Sequence, residues 1–269
     1  MFKYFARTSE EWLDYFRANA ERLLELPWPS GPQLDASELA TIAASVQEFQ
    51  LGESSDGRRS LAIARAYAER CGDRRYADAI AAFFAEEHRH ARDLGRFLDM
   101  VRVPLLRHSW GDTMFRQLRR AFNLELLLMT LLTVELIALI YYRALRDATR
   151  SPLLRRICAQ ILRDEKLHVQ FHLEQFVLIR RFRPRWLIAA GHAAHCFLMF
   201  GTCLAVWRNH HRVLSAGGFP WPRYWRACWR EMRFATRRMD PANYDLTSAS
   251  NHQSHNHEDS LLDGPLAKV

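Results

Sequence analysis

Two Glu-x-x-His motifs, each preceded in the chain by a single glutamate on an apolar stretch, constrain the fold of this chain more than any other feature. The motifs are Glu87-His88-Arg89-His90 and Glu165-Lys166-Leu167-His168, and the single glutamates are Glu53 and Glu135. Helical residues three apart lie about 60° apart on one face and ~4.5 Å apart along the axis. The Glu and His of each motif can therefore reach one ion if the segment is a helix. Two such helices, joined by two that each bring a Glu, make the six-ligand core that holds a pair of divalent transition metals in a four-helix bundle. Four carboxylates and two divalent ions sum to zero charge. Iron(II) and manganese(II) suit this carboxylate–imidazole set, and the lack of thiolates argues against structural zinc. Without ions the carboxylates repel and must take up protons. Metal binding is therefore expected to stabilise the fold.

Spacing from the turns tests the pairing. Thr149-Arg150-Ser151-Pro152 is a turn signal, with Pro152 suited to the first turn of a new helix. Glu135 lies 16 positions before Ser151 and Glu165 lies 14 after it, so the two are level within about half a turn in an antiparallel hairpin. Glu125, the other acid on that segment, is almost three turns too far away. The first hairpin turns near Gly72-Asp73, with Glu53 19 positions before Gly72 and Glu87 15 after it. Glu48 is about a turn and a half further out, and Asp56 is closer to level.

The segment Leu124 to Tyr142 is apolar on every side and reads as a buried helix. An ionised Glu135 in its middle costs on the order of several kcal/mol unless partners or metal neutralise it. One Glu-x-x-His is ordinarily a solvated helix face; two in hairpin relation, each opposite a Glu on a mostly apolar helix, point to metal. Tyr142, seven after Glu135, and His172, four after His168, can face the same core. Each can serve as a redox or extra-ligand residue, or as a packing or hydrogen-bonding one.

From about Ser37 to Phe176 this pattern resembles the ferritin-like superfamily of di-iron carboxylate proteins. The strings Glu86-Glu87-His88-Arg89-His90 and Asp164-Glu165-Lys166-Leu167-His168 most resemble its oxygen-activating branch, the acyl-carrier-protein desaturases and the bacterial multicomponent monooxygenases. The resemblance implies that Glu86, Arg89 and Asp164 support the ligands from behind. Leu167 departs from the Arg usual in the second motif. Some N-oxygenases of this superfamily carry an extra His one turn before the last Glu, where this chain has Ile161. The resemblance further implies two iron ions, or manganese with iron, and one Glu of each motif bridging them. Glu53, Glu87 and His90 would then serve mainly one ion, and Glu135, Glu165 and His168 the other.

Sparse glycine, no strand-like alternation and abundant Ala, Leu, Arg and Glu favour an all-α chain. Its 269 residues can bury a sizeable core. The expected organisation is an N-terminal helix and linker over 1–34, opened by a Thr8–Glu11 capping box. A ferritin-like antiparallel four-helix bundle follows over 35–181, then a basic, Trp-rich helical extension over 182–240 and a disordered tail over 241–269. The first bundle helix is expected to run from Asp35 to about Arg70, the second from Asp73 to Val101, and the fourth from Pro152 to about Arg181. A short segment around Ser109 to Ala121 should lead into the third. From Leu246 onward the tail is polar and low in complexity.

The five cysteines form no CxxC pair, which points to reduced thiols in a cytosol and removes the iron–thiolate module of typical rubrerythrins. Met1-Phe2-Lys3-Tyr4 leads at once into an amphipathic helix rather than a signal peptide, so a cytoplasmic location is expected. Residues 178–238 carry 12 arginines, no lysine and one acid, for a local charge of +11 against +8 for the whole chain. Within them Leu187 to Trp207 is long enough to cross a bilayer, although His192, His195 and two glycines interrupt it. It reads as a fifth helix, packed on the bundle or half-sunk in a membrane. After Pro220, Trp221, Trp225, Trp229 and Met232 share one arc of a helical wheel, opposite Arg223, Arg226, Arg230, Arg233 and Arg237. Such a helix buries its tryptophans on the bundle, lies on an anionic membrane at the inner face, or docks an acidic carrier protein or a reductase. No reader motif supports nucleic acid.

The expectation is a non-haem di-iron oxidoreductase that uses O2 and an external electron donor to hydroxylate, desaturate or N-oxygenate an apolar or amphipathic organic substrate, free or carrier-bound. A homodimer is compatible with it. The alternatives are a rubrerythrin-like peroxidase or iron-handling protein with no organic substrate, and a non-catalytic docking module.

Overall fold

The computed structural model describes residues 3–55, 57–108 and 124–245. Among them the protein is all-helical and bundle-like. Helix α1 spans Ser9–Ala20, α2 Ala36–Glu53, α3 Arg58–Cys71, α4 Arg75–Met100, α5 Leu124–Ala148, α6 Pro152–Arg180, α7 Arg185–Ala216 and α8 Trp221–Arg238. Two-residue strands, Tyr4–Phe5 and Tyr244–Asp245, pair in parallel and join the first and last described segments. The expected segment at 109–121 and the tail from Leu246 lie outside the described residues, as does Asp56.

Local chemistry sets the helix ends. Thr8 and Glu11 form the full capping box of α1, each side chain accepting from the other's backbone N–H. Asp35 accepts from the Glu38 N–H at 2.8 Å and opens α2. Glu38 in turn accepts from the Thr149 hydroxyl and the Arg150 N–H, tying the start of α2 to the α5–α6 turn. Ser151 caps α6 through the Leu154 N–H, with Pro152 in the first turn.

The single helix expected from Asp35 to Arg70 is instead two. The chain breaks after Glu53, and α3 restarts behind Gly57 at φ 61°. A Cβ on Gly57 would lie 2.8 Å from the Phe84 ring, so the backbone passes flush against α4 there. The break makes Glu53 the last residue of α2.

Helix α5 is the centre of the fold. It packs against α6 along its length and against α7 on another side. Helix α4 packs on α1, α2, α3 and α6. Among the described residues two helices are long and apolar enough to cross a membrane: α5, with 83% of its most apolar window buried, and α7, with 22% buried. Helix α7 is seated by Gly217, where a Cβ would overlap the Ala144 carbonyl oxygen of α5 at 2.0 Å. Helix α8 half-buries Trp221, Trp225 and Trp229 and buries Met232, leaving Arg223, Arg226, Arg230, Arg233 and Arg237 exposed.

Candidate metal centre

Glu53 ends α2, Glu87 and His90 lie mid-α4, Glu135 lies mid-α5, and Glu165 and His168 lie mid-α6. Their side chains converge in the interior. Glu53, Glu87, His90 and Glu165 offer ligand atoms within 4.8 Å of one another, as do Glu87, Glu135, Glu165 and His168. Glu87 and Glu165 belong to both groups, so the two candidate ion positions share two carboxylates. His90 Nδ1 lies 3.7 Å from Glu87 Oε1 and 3.5 Å from Glu165 Oε1. His168 Nδ1 lies 3.1 Å from Glu87 Oε1 and 3.3 Å from Glu165 Oε2. All six residues predicted as ligands are therefore brought together. Glu125 and Glu48, the rejected acids, have other partners: Glu125 pairs with Arg180 and Arg183, and Glu48 lies 3.3 Å from His210 Nε2.

The support behind the imidazoles crosses between the motifs. His90 Nε2 lies 3.1 Å from Asp164 Oδ2, and His168 Nε2 lies 2.9 Å from Glu86 Oε2. The acid beside each motif thus orients the other motif's imidazole and turns Nδ1 inward. Arg89 Nη2 donates to Asp164 Oδ2 at 2.6 Å and Nη1 lies 3.7 Å from Glu86 Oε1. No such role falls to Leu167, which packs at the edge of the core. Three residues that sequence reasoning missed complete this layer. Asn19 of α1 donates to both Glu86 and Asp164, at 2.6 and 2.9 Å. Gln160 donates to both oxygens of Asp164, and Arg163 holds the Asn19 amide oxygen at 2.8 Å. Gln160 was findable, being one helical turn before Asp164; Asn19 has no local signal.

Tyr142 donates to Glu53 Oε1 at 2.5 Å. His172 is fully buried, and neither ring nitrogen has a hydrogen-bond partner among the described residues; its Nε2 is 3.9 Å from Glu135 Oε1. Burial, helped by the nearby His168 charge, pushes His172 down to about 3, so its imidazole is neutral.

Electrostatics follow from packing four acids together. Burial, then the neighbouring Glu87 and Glu165, push the Glu53 carboxyl well above the usual carboxylate range. Burial, then Glu165 and Glu87, do the same to Glu135. Burial also opposes charge on Glu87, but the close approach and charge of His168, with His90, outweigh it and hold Glu87 at about 2. Burial would lower His168, yet Glu165, Glu86 and Glu87 raise it well above the usual imidazole range. Burial opposes ionisation of Asp164 too, and its bonds to His90, Gln160 and Asn19 keep it well below. The site thus holds protons that a cation can replace.

The residues fit a metal pair. Glu87 Oε1, His90 Nδ1 and Glu165 Oε1 are buried with no hydrogen-bond partner among the described residues, and all three face the shared centre. Buried polar atoms are ordinarily satisfied, and a cation between them satisfies all three. The donors are carboxylate and imidazole, with no thiol among them.

A cavity of about 120 Å³ abuts Glu53, Glu87 and Glu135. Its walls include Phe49 of α2, Phe83 and Phe84 of α4, and Leu131 and Val134 of α5. Helix α7 closes it with Thr202, Val206 and His210. No protein-family model, curated protein or solved structure matches this chain.

Proposed function

We propose that this chain is a non-haem di-iron oxidoreductase in which α2, α4, α5 and α6 form a ferritin-like antiparallel four-helix bundle. It oxidises an apolar or amphipathic substrate in the cavity beside Glu53, Glu87 and Glu135. That cavity is the observation that carries the reading. A buried ion site needs no hollow next to its carboxylates, whereas an oxidase needs room for an organic molecule there.

Glu53 and His90 would hold one ion, Glu135 and His168 the other, and Glu87 and Glu165 lie within reach of both. When bound, two iron ions supply the redox capacity for dioxygen chemistry that no side chain has, and manganese with iron fits the same donors. Glu86 and Asp164 fix the imidazole orientation, and Arg89 and Asn19 fix those acids. Tyr142 holds the Glu53 carboxyl at the cavity edge. Phe83 packs edge-on against His168 and His172, with ring centroids 4.8 and 4.9 Å away, and keeps water from that side. Electrons come from a separate donor, because the chain carries no flavin or iron–sulfur motif. Hydroxylation, desaturation and N-oxygenation are the reactions such a site serves.

Anaerobic iron(II) titration followed by oxygen exposure, watched by absorbance and Mössbauer spectroscopy, tests this. Two irons per chain with an oxygen-dependent, antiferromagnetically coupled diferric signature are expected. Peroxide consumption independent of any organic compound would instead indicate a peroxidase. A chain that takes up no iron, and whose melting iron(II) leaves unchanged, is a docking module.

A further inference from the structure

Helix α7 has two apolar faces, and the bundle covers only one. Its inner face carries His195, Met199, Thr202, Cys203, Val206 and Val213, all buried. Its outer face carries Trp186, Ala189, Ala190, Ala193, Phe197, Phe200, Gly201 and Leu204, all exposed. At 100° per residue these eight fall within an arc of about 120°, and from Trp186 to Leu204 they run about 27 Å along the helix. Trp186 is 72% exposed and Phe197 80%, and Phe182, in the turn before α7, is 86% exposed. Contiguous exposed apolar surface of this kind marks an interaction site.

The stripe is framed by positive charge. Arg185 lies at one end, and Arg208 and Arg212 at the other, all exposed. Along one side runs α8, whose Trp225 touches Phe200 with ring centroids 5.6 Å apart and whose outer face is arginine-rich. Two copies of so basic a face would repel one another, whereas an anionic surface is drawn to it. Aromatic rings around an apolar strip, ringed in turn by arginines, suit the boundary between lipid headgroups and acyl chains.

We infer that this face seats the protein on an anionic lipid bilayer, with α7 lying along the membrane rather than crossing it. The stripe covers about a third of the helix circumference, while the opposite face packs on α2, α5 and α8. A crossing helix would need lipid-compatible surface on the elements beside it, and α8 offers arginines there. The wall of the cavity is then the inner side of the helix that touches lipid, because Thr202, Val206 and His210 belong to the same helix as Phe197 and Leu204. The inference is independent of which metals the bundle holds.

Co-sedimentation of the full chain with vesicles tests it. Vesicles of about three parts phosphatidylcholine to one of phosphatidylglycerol are expected to bind the protein at least about tenfold more tightly than phosphatidylcholine alone. Trp186→Ser with Phe197→Ser should weaken binding at least about tenfold at unchanged helicity. Arg226→Glu with Arg233→Glu should abolish the preference for phosphatidylglycerol. With the unaltered protein, lipids brominated on their acyl chains should quench tryptophan emission, a readout that needs no variant to fold. Absence of binding to either vesicle overturns the inference. So does binding that the Trp186/Phe197 change leaves intact. A dimer in light scattering that the same change splits, without any vesicle binding, also overturns it and assigns the face to a second copy.

Discussion

Helices α5 and α7 are both long and apolar enough to cross a membrane, yet the most apolar window of α5 is 83% buried and that of α7 22%. They also pack against each other. The difference lies in position. Helix α5 has α6 and α7 on different sides, so nearly every residue it carries meets another side chain. Helix α7 is the outer layer and has cover on one side only. Apolarity therefore states that a helix needs cover; it does not say whether the protein supplies it. Their polar residues differ in the same sense. Glu135 in α5 sits beside the Glu165 and Glu87 carboxylates and is raised first by burial and then by them. The inward polar groups of α7 lie apart from that cluster: His195 bonds Thr133 at 3.0 Å, and His210 bonds Ser45 at 2.8 Å and lies 3.3 Å from Glu48. Burial, with Arg180 nearby, pushes His195 down to about 3 and keeps it neutral.

The contrast can be broken most forcefully at the proposed metal ligands. Chelation is expected to lower stability by about 4 kcal/mol relative to protein in free metal at a thousandfold over its dissociation constant. Calorimetry with and without chelator measures this. Glu135→Leu should lose at least about half the metal by elemental analysis, and its metal-free form should melt higher than the metal-free parent, since the change removes a buried carboxyl from an apolar helix. If metal content survives, Glu135 is not a ligand.

Within the apolar sets, Leu132→Ala in α5 should cost about 2–5 kcal/mol, because it opens a cavity in a closed layer. Phe197→Ala in α7 should stay within about 0.5 kcal/mol. Denaturant melts compare the two, and equal losses would mean that α7 is covered in solution.

The pH response sharpens the contrast further. Glu53 and Glu135 are raised, and so is His168, so the folded chain without metal binds more protons than the unfolded one. The carboxyl penalty is absent below the ordinary value of 4.5 and grows as pH rises above it. The His168 contribution is full below 6.5 and is lost as pH climbs through the raised folded value. Metal-free protein should therefore lose stability from about pH 5 upward. Metal-loaded protein should lose it as pH falls, because the ions compete with those protons. Glu87 and Asp164 act oppositely, giving stability above the ordinary carboxylate range that is lost only as pH falls through their lowered values. Melting temperature against pH, with and without metal, separates the two slopes. Tyr142→Phe should cost about 1 kcal/mol in the same melts, for the lost bond to Glu53.

Much of the centre was legible because its rules are local. The Glu-x-x-His spacing places two ligands on one helix face whatever surrounds it, and the Thr149–Pro152 turn fixes the level of Glu135 against Glu165. Gly57 was harder to weigh. Its neighbours read as continuous helix, and only the approach of Phe84 explains why the chain must break there. Asn19 could not be foreseen, because it meets Glu86 and Asp164 across 67 and 145 positions of chain.

By itself, then, the sequence determined the all-helical character, the caps of α1, α2 and α6, the six acids and imidazoles that converge, and the apolar character of α5 and α7, but not the break between α2 and α3. These depend on residue spacing within one or two turns, or on counting from a turn, and both survive without knowing the rest of the fold. Tertiary structure alone decided that each imidazole leans on the opposite motif's acid, that α1 braces them, that α7 walls the cavity, and which apolar faces stay bare. Those outcomes depend on which surfaces meet, and a surface's partner is set by the packing of the whole chain rather than by its own residues.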